Sequence, residues 1–404
     1  MQWEQVFASR ASRMKASEIR ELLKLLDQPD IISFAGGIPD PDLFPKEDFA
    51  QAFADLFDGP QAQAALQYSV SEGYLPLRNW IAGRMADLGI VCTADNILIT
   101  SGSQQALDYL GKLFLSPGDT ALVGWPTYMG ALGAFNAYEP CYDRLEPNSN
   151  RSAADYDAAA KANGGQVKFA YASVDFANPT GVTLDQRARE GMIALADELD
   201  IAIIEDAAYQ GLRYDGTPVD PILALEIAQK GDIEQCRTIY CGSFSKTLAP
   251  GLRIGWAVAA KPVIQRLVLI KQAADLHTSS LNQIALHRVA SKGFDEPVAK
   301  LRETYSGRRD HMLAAMEREM PEGVTWTRPE GGMFVWVTLP TEIDGAALLA
   351  QALKSEKVAF VPGRAFFADG SNGNTIRLSF SCARPAQIDD GIARIGRAIR
   401  AALA

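Results

Sequence analysis

Short, continuous apolar runs alternate with amphipathic stretches between residues 96 and 258. The runs lie at residues 96–100, 120–124, 167–172, 201–205, 238–241 and 253–258. Residues 185–199, between two of these runs, repeat apolar positions at the spacing of a helix. A strand that is apolar at successive positions is covered on both faces, which is typical of a parallel sheet between layers of helices. The pattern predicts an α/β fold whose large domain has a mostly parallel central sheet.

The pattern changes after this sheet. Residues 262–277, 301–320 and 387–403 have helical spacing, and residues 332–337 and 375–380 are strand-like. These elements predict a smaller α+β domain at the C-terminus. We therefore divide the chain into an N-terminal segment of residues 1–45, a large domain of residues 46–277 and a small domain of residues 278–404.

The composition of the chain indicates which kinds of molecule it binds and which it does not. The 404 residues carry 39 Lys and Arg against 49 Asp and Glu, and the net charge of −10 has the wrong sign for binding nucleic acid. The five cysteines contain no CxxC pair and the three histidines are scattered, so spacing predicts neither a disulfide framework nor a metal site. No apolar run approaches the roughly 20 residues that span a bilayer, and the N-terminus does not resemble a secretion signal. We expect a cytoplasmic protein with a small-molecule partner.

The segment of residues 242–253 places one lysine among hydroxyl groups. Ser243 and Ser245 precede Lys246, and Arg253 follows it by seven residues. A lysine can form a Schiff base with an aldehyde, and serines with an arginine supply donors for a phosphate. A lysine in a polar loop is more often an ordinary surface residue. Whether Lys246 has a chemical role therefore depends on the other residues that the fold places near it.

That context is a set of polar residues after other predicted strands. Asp206 ends the strand of residues 201–205, at the edge where α/β proteins bind ligands, and its carboxylate either holds a pyridinium proton or caps a turn. Tyr209 follows it, and Asn178 follows an earlier strand. The loop of residues 100–106 opens a helix whose N–H groups either cradle a phosphate or are ordinary caps. Together, these elements favour a site for a phosphate-bearing pyridine cofactor.

In these motifs the chain resembles the class I and II aminotransferases of fold type I, which depend on pyridoxal phosphate, from about residue 12 to the C-terminus. Within this group it is most similar to the 2-aminoadipate and kynurenine aminotransferases. The matching motifs are SFAGGIP at 33–39, LQYS at 66–69, GSQQ at 102–105, KQAADLHT at 271–278 and FVPG at 360–363. The resemblance implies the type I fold, with a large domain around the sheet and a smaller α+β domain.

The resemblance also implies roles for individual residues. Lys246 corresponds to the lysine that binds the cofactor and moves the proton, Asp206 to the partner of the ring nitrogen, and Asn178 and Tyr209 to donors to the phenolic oxygen. Tyr128 matches the aromatic residue that stacks on the ring. The phosphate-binding set corresponds to Ser103, Gln104, Ser243, Ser245 and Arg253. Tyr68 matches a residue that reaches the phosphate of the neighbouring subunit, which implies a homodimer with shared active sites.

For the substrate, the resemblance implies that Arg377 clamps the α-carboxylate, with Asn178 and Gly37 beside it. Arg20 matches an arginine on an N-terminal segment that covers the site, packs with the small domain and meets a distal carboxylate. Arg20 pairing with Glu21 or Asp27 on an exposed helix is the competing interpretation. The expected donors include 2-aminoadipate, aromatic or branched-chain amino acids, and the expected acceptor is a 2-oxo acid such as 2-oxoglutarate, in a ping-pong reaction.

Three other functions compete with this interpretation. A β-lyase or a decarboxylase would use the same lysine and aspartate, because reaction type depends on which Cα bond is aligned. An aminotransferase-like regulator would need a helix-turn-helix module, for which about thirty residues before position 33 are too few. A nicotinamide dehydrogenase would need a G-x-G-x-x-G turn after its first strand, and none occurs. The residues favour an aminotransferase.

Overall fold

The computed structural model of the chain describes residues 2–14 and 30–404. Its strands are β1 (Ile32–Ser33), β2 (Ile97–Thr100), β3 (Thr120–Val123), β4 (Cys141–Arg144), β5 (Val167–Ser173), β6 (Ala202–Asp206), β7 (Thr238–Ser243), β8 (Gly255–Val258), β9 (Thr325–Trp326), β10 (Phe334–Thr338), β11 (Val358–Ala359), β12 (Val361–Pro362) and β13 (Thr375–Ser379). Its α-helices are α1 (Lys46–Asp58), α2 (Ala62–Leu66), α3 (Leu75–Ala86), α4 (Ser103–Phe114), α5 (Met129–Asn136), α6 (Ala153–Ala162), α7 (Gln186–Leu199), α8 (Ile222–Lys230), α9 (Lys261–Ala274), α10 (Ser280–Gly293), α11 (Asp295–Glu319), α12 (Gly345–Ser355) and α13 (Pro385–Leu403).

The large sheet has seven strands in the order β2-β8-β7-β6-β5-β3-β4. Strands β7, β6, β5, β3 and β4 pair in parallel, and β8 pairs antiparallel with both of its neighbours. Because β8 is reversed between β2 and β7, β2 runs in the same direction as the parallel strands. The carboxyl ends of β2, β3, β5, β6 and β7 therefore lie at one edge of the sheet, where ligands bind in such folds.

Both faces of this sheet are covered. Ile97 and Ile99 of β2 pack into one apolar core, while Leu98, between them in sequence, packs into another. Successive side chains of a strand point to opposite faces, so a strand buried on both sides is apolar at every position. This is the physical reason for the continuous runs in the sequence, and the predicted α/β class is confirmed.

A smaller antiparallel sheet, in the order β12-β13-β10-β9, lies in the C-terminal part of the chain. Its core also contains Phe34 and Ala35 from the region before α1. There β1 pairs with β11, and the buried Asp40 carboxylate accepts a hydrogen bond from Arg308 at 2.6 Å. These contacts fix residues 32–40 against the C-terminal elements. The three-part domain division stays a prediction.

Most element boundaries expected from the sequence lie within a few residues of those observed. The helix expected at 301–320 begins earlier, at Asp295, because Pro297 lies in the first turn, where its missing N–H is harmless. Strand β4 was not predicted. Its residues, Cys141–Arg144, are polar and only partly buried because they form the edge of the sheet, so they lack the apolar run that identifies the inner strands. Within the two described ranges, no helix combines the length and apolar character needed to cross a bilayer.

Candidate active site

A cavity of about 1010 Å³ lies at the carboxyl edge of the large sheet and extends to the small sheet. Seven of the residues expected from the sequence line it together: Gly37, Gln104, Tyr128, Asn178, Tyr209, Lys246 and Arg377. They come from widely separated segments of the chain. The large sheet and the loops at its carboxyl edge supply most of them, the segment before α1 supplies Gly37, and the small sheet supplies Arg377.

Lys246 lies at the end of a short 3-10 helix, Phe244–Lys246, that directly follows β7. Its Nζ donates a hydrogen bond to the carbonyl of Gly37 at 2.8 Å and lies 5.8 Å from the centre of the Tyr209 ring. Burial, with the cations Arg377 and Arg253 nearby, lowers the pKa of Lys246 to about 8. The amine is therefore closer to its neutral, nucleophilic form than an ordinary lysine is at neutral pH.

Asp206 is the last residue of β6 and is buried. Its carboxylate accepts hydrogen bonds from the Tyr171 hydroxyl at 2.8 Å and from the Ala208 N–H at 3.3 Å. Burial raises the pKa of Asp206, while these two donors and the nearby Lys246 oppose the rise. The result is a buried carboxylate held in one orientation, and a positively charged ring nitrogen is the kind of group that it stabilises.

Arg377, in β13, is almost completely buried and stacks between the rings of Phe334 and Phe366, with centroids 4.2 and 5.1 Å from its Cζ. It donates to Asn178 Oδ1 at 2.7 Å and to the carbonyl of Ala35 at 3.0 Å. Its Nε has no acceptor, and no acidic side chain pairs with it, within residues 2–14 and 30–404. Burial lowers the pKa of Arg377 to about 10.

A buried guanidinium without an anionic partner is unfavourable until an anion arrives. Gly37 borders this group, and a Cβ at Gly37 would lie 3.7 Å from the guanidinium and 3.2 Å from Phe334. The absence of a side chain keeps the donor side of Arg377 open to the cavity. On its other side, Asn178 links Arg377 to Tyr209, whose hydroxyl accepts from Asn178 Nδ2 at 3.3 Å. These residues form one hydrogen-bonded wall.

The turn from β2 into α4 forms a second part of the site. Gly102 has a φ of +82°, and a Cβ there would lie 2.4 Å from a guanidinium nitrogen of Arg253. Only glycine permits both this backbone conformation and this close approach. The N–H groups of Ser103 and Gln104, which begin α4, donate to no acceptor in the described chain. Two free amides and an exposed arginine thus lie side by side.

The remaining expected residues lie around this arrangement. Gln104 donates to the carbonyl of Gly130 at 2.6 Å, and burial raises the pKa of Tyr128 to about 12. Ser243 ends β7 and accepts from the N–H of Ser245, so its hydroxyl caps the turn that carries Lys246. Tyr68 is 78% exposed, contacts His277 edge-on and is not among the residues that line the cavity. Arg20 lies outside the described residues.

Sequence reasoning missed several residues of the site. Tyr171 lies inside β5, two residues from its end, and resembles a core residue there; only the pairing of β5 with β6 brings it to Asp206. Phe334 and Phe366 were likewise indistinguishable from core residues until the fold placed Arg377 between them. Arg13 and Tyr142 also line the cavity, and neither lies in a motif that pointed to the site.

Comparison with known proteins agrees with this geometry. The model of the family "Aminotransferase class I and II" matches residues 29–395. The aromatic-amino-acid aminotransferase 1 of Thermococcus litoralis is 42% identical over 406 residues, which cover 99% of this chain and 95% of that protein. The chain belongs to the class I and II aminotransferases.

Solved structures extend the similarity over the whole chain. The α-aminoadipate aminotransferase of Thermus thermophilus, in complex with N-(5'-phosphopyridoxyl)-L-leucine, is 40% identical with a TM-score of 0.88. The kynurenine aminotransferase of Pyrococcus horikoshii is 42% identical with a TM-score of 0.91, and in both cases 100% of this chain and 99% of the other are covered. The family, the type I fold, the aminotransferase activity and the cofactor expected from the sequence are confirmed.

The residues of this aminotransferase fit pyridoxal phosphate. A buried carboxylate at Asp206, an amine of lowered pKa at Lys246 and the free amides beside Arg253 correspond to the pyridine nitrogen, the aldehyde and the phosphate of that molecule. A carboxylate stabilises a protonated ring nitrogen, a neutral amine reacts with an aldehyde, and N–H groups beside a guanidinium bind a phosphate.

The lowered pKa of Lys246 predicts how fast the aminotransferase binds its cofactor. At pH 7 an amine of pKa about 8 is roughly 300-fold more often neutral than one at the ordinary 10.5. We therefore expect the rate of covalent attachment to pyridoxal phosphate, followed by stopped-flow absorbance on cofactor-stripped protein, to rise with pH and level off above about pH 8. Nα-acetyl-lysine, measured at the same pH values, corrects for titration of the cofactor itself. A rate that keeps rising to pH 10, as for the free lysine, would contradict the assignment.

Proposed function

We propose that this chain is a homodimeric, cytoplasmic aminotransferase that acts on amino acids with dicarboxylic, aromatic or branched side chains, with 2-oxoglutarate as acceptor. The observation that carries the proposal is the unpaired, buried guanidinium of Arg377 in the same cavity as Lys246. An α-carboxylate on the guanidinium would lie beside the amine that accepts a proton from the neighbouring Cα. The reaction is ping-pong, since donor and acceptor each need this one carboxylate site in turn.

Pyridoxal phosphate, when bound, supplies an electron sink that stabilises the charge left on Cα after its proton departs. The chain supplies the rest. Arg377 holds the α-carboxylate by two parallel hydrogen bonds, which fixes the orientation of the Cα bonds. The neutral amine of Lys246, already placed in the cavity, accepts the Cα proton. Clamping the carboxylate in this way favours loss of the proton over loss of carbon dioxide, and so transfer over decarboxylation.

The other residues hold the cofactor and set its charge. Asp206 would stabilise a protonated ring nitrogen, and Tyr171 keeps the carboxylate oriented for that contact. Asn178 and Tyr209 would contact the phenolic oxygen, and Tyr128 would stack on the ring. The residues that would bind the phosphate are Ser103, Gln104, Ser243, Ser245 and Arg253, of which the first two offer free backbone amides.

The substrate side chain extends toward the outer cavity, where apolar and polar residues are mixed. Met129 and Leu132 offer apolar contacts there, and Arg13, Tyr142 and Asn136 offer polar ones. Such a wall suits side chains of both kinds. The similar proteins named above are an aromatic-amino-acid, an α-aminoadipate and a kynurenine aminotransferase, which supports the same range. For dicarboxylic substrates, Arg20 binds the distal carboxylate.

A second copy of the chain completes the site. Tyr68 is 78% exposed, and the adjacent Leu66 and Val70 are more than half exposed. Exposed apolar residues close together are typical of a surface that packs against another protein. In a homodimer, this segment packs on the partner and Tyr68 contacts the phosphate in the partner's active site.

The role of Arg20 predicts a change in specificity. In Arg20→Ala, the KM for 2-aminoadipate and glutamate should rise about tenfold or more, because a charge-assisted hydrogen bond to the distal carboxylate is lost. The KM for leucine and phenylalanine should change by less than about twofold. Arg10→Ala, which removes an exposed arginine of the same segment, is the matched control in steady-state assays. Equal losses for both classes of donor would show that Arg20 has a structural role.

Shared active sites predict recovery of activity on mixing. Lys246→Ala and Tyr68→Ala are each expected to be nearly inactive at limiting cofactor. When the two are mixed and allowed to exchange subunits, about half of the dimers are mixed, and each mixed dimer has one intact site, so activity should reach about a quarter of the parent value. Mixing Lys246→Ala with Lys246→Met is the control that should recover nothing. Activity equal to the sum of the two separate variants would exclude sites shared between subunits.

A further inference from the structure

A polar cluster lies behind the turn of residues 101–103, outside the cavity. We call it the loop-support cluster, and it consists of Ser101, Gln105, Lys271 and Asp275. Lys271, in α9, is fully buried, and Asp275 follows the end of the same helix. Nothing in the proposed reaction uses this lysine or this aspartate. Lys271 is thus a buried cation that is hydrogen-bonded to residues next to the proposed phosphate site, and its position suggests a role in that site.

All three N–H bonds of Lys271 are used within the cluster. Its Nζ donates to Asp275 Oδ1 at 2.9 Å, to Asp275 Oδ2 at 3.0 Å and to Gln105 Oε1 at 2.8 Å. Burial lowers the pKa of Lys271, and the hydrogen bond and negative charge of the adjacent Asp275 oppose this fall. With every donor committed, Lys271 does not itself bind a ligand.

Gln105 transmits this arrangement to the turn. Its Oε1 accepts from Lys271 and also from the N–H of Ser101 at 2.8 Å, while its Nε2 donates to Asp275 Oδ2 at 2.8 Å. Two of these partners are donors and one is an acceptor, so only one orientation of the Gln105 amide satisfies all three hydrogen bonds. Ser101 is held a second time, because its hydroxyl donates to Asp275 Oδ2 at 3.2 Å.

These bonds decide which amides of the turn stay free. The Ser101 N–H is committed to Gln105, and the Gly102 N–H donates to the carbonyl of Thr100 at 2.8 Å. The N–H groups of Ser103 and Gln104 are then the ones left for a ligand within the described chain. The carbonyl of Ser101 also accepts from Arg253 at 3.4 Å, so the same residue helps to place that guanidinium.

From this geometry we propose that Lys271, Asp275 and Gln105 are positioning residues that hold the turn of residues 101–103 in the conformation that binds the cofactor phosphate. The inference rests on the proposed role of Ser103, Gln104 and Arg253 toward that phosphate. The three residues act through the turn and contact neither cofactor nor substrate.

Charge gives Lys271 a second part in this arrangement. Although burial alone would raise it, hydrogen bonds from Gln105 and Lys271 hold the pKa of Asp275 below its usual value, so this carboxylate is ionised at neutral pH. An ionised carboxylate next to Ser101 repels a phosphate dianion unless a cation neutralises it. Lys271 supplies that cation at hydrogen-bond distance. Its loss would both loosen Gln105 and leave a repulsive charge behind the turn.

The test compares two ligands that differ only in the phosphate. Cofactor-stripped parent and Lys271→Met proteins are titrated with pyridoxal phosphate and with pyridoxal, by quenching of tryptophan fluorescence. In the variant, the Kd for pyridoxal phosphate should rise about tenfold or more, by analogy with other supporting shells of binding sites. The Kd for pyridoxal should stay within about twofold, and inorganic phosphate should compete less well than in the parent.

Lys230→Met is the matched control, since Lys230 also pairs with an acidic residue one turn away, Glu226 on helix α8, and makes no hydrogen bond to the loop-support cluster within the described residues. It should leave both affinities unchanged. If Lys271→Met does not fold, Gln105→Met keeps the buried ion pair and removes only its link to Ser101, and it should show the same selective loss. Equal weakening of pyridoxal and pyridoxal phosphate, or no change in either, would overturn the inference. A parent protein that binds neither ligand would instead refute the proposed function.

Discussion

A guanidinium group held out of water between two aromatic rings is the constraint around which the active site is organised. Arg377 is buried, its Nε is unpartnered and its remaining donors reach only an amide and a carbonyl oxygen within the described residues. Burying such a cation costs desolvation free energy, and a bound carboxylate offsets that free energy by pairing with the cation. Burial and this positive charge lower the pKa of Lys246, so the group that we propose to bind the substrate also helps to activate the amine that we propose to react.

The parallel sheet makes this arrangement possible. Asp206 ends β6 and Lys246 follows the neighbouring strand β7, so the buried acid and the amine of lowered pKa reach the same edge from residues about forty positions apart. The small sheet contributes Arg377 from the opposite side, and the segment at Gly37 lies between them. The cavity is therefore a junction of three parts of the chain, each of which supplies a charge or a hydrogen bond that the others lack.

The α/β class could be predicted because a strand covered on two faces is apolar throughout. Most of the charged residues of the site were predicted from motifs that resemble the class I and II aminotransferases, since a single lysine or aspartate after a strand also has ordinary structural uses. Tyr171 and the edge strand β4 left no such signal: Tyr171 resembles core, and β4 resembles a loop. The pairing of Lys271 with Gln105 depends on how α9 packs on α4, a distance that no spacing along the chain encodes.

The most direct test of the account is an absorbance scan of the cofactor-loaded protein as single amino acids are added without any acceptor. Glutamate, 2-aminoadipate, leucine, phenylalanine and kynurenine are compared, and the 2-oxo acid released is quantified. At least one donor is expected to convert the absorbance of the lysine-bound cofactor to that of its aminated form, with one 2-oxo acid released per site. A protein that carries the cofactor but releases carbon dioxide or an eliminated group, with no aminated cofactor, would contradict it.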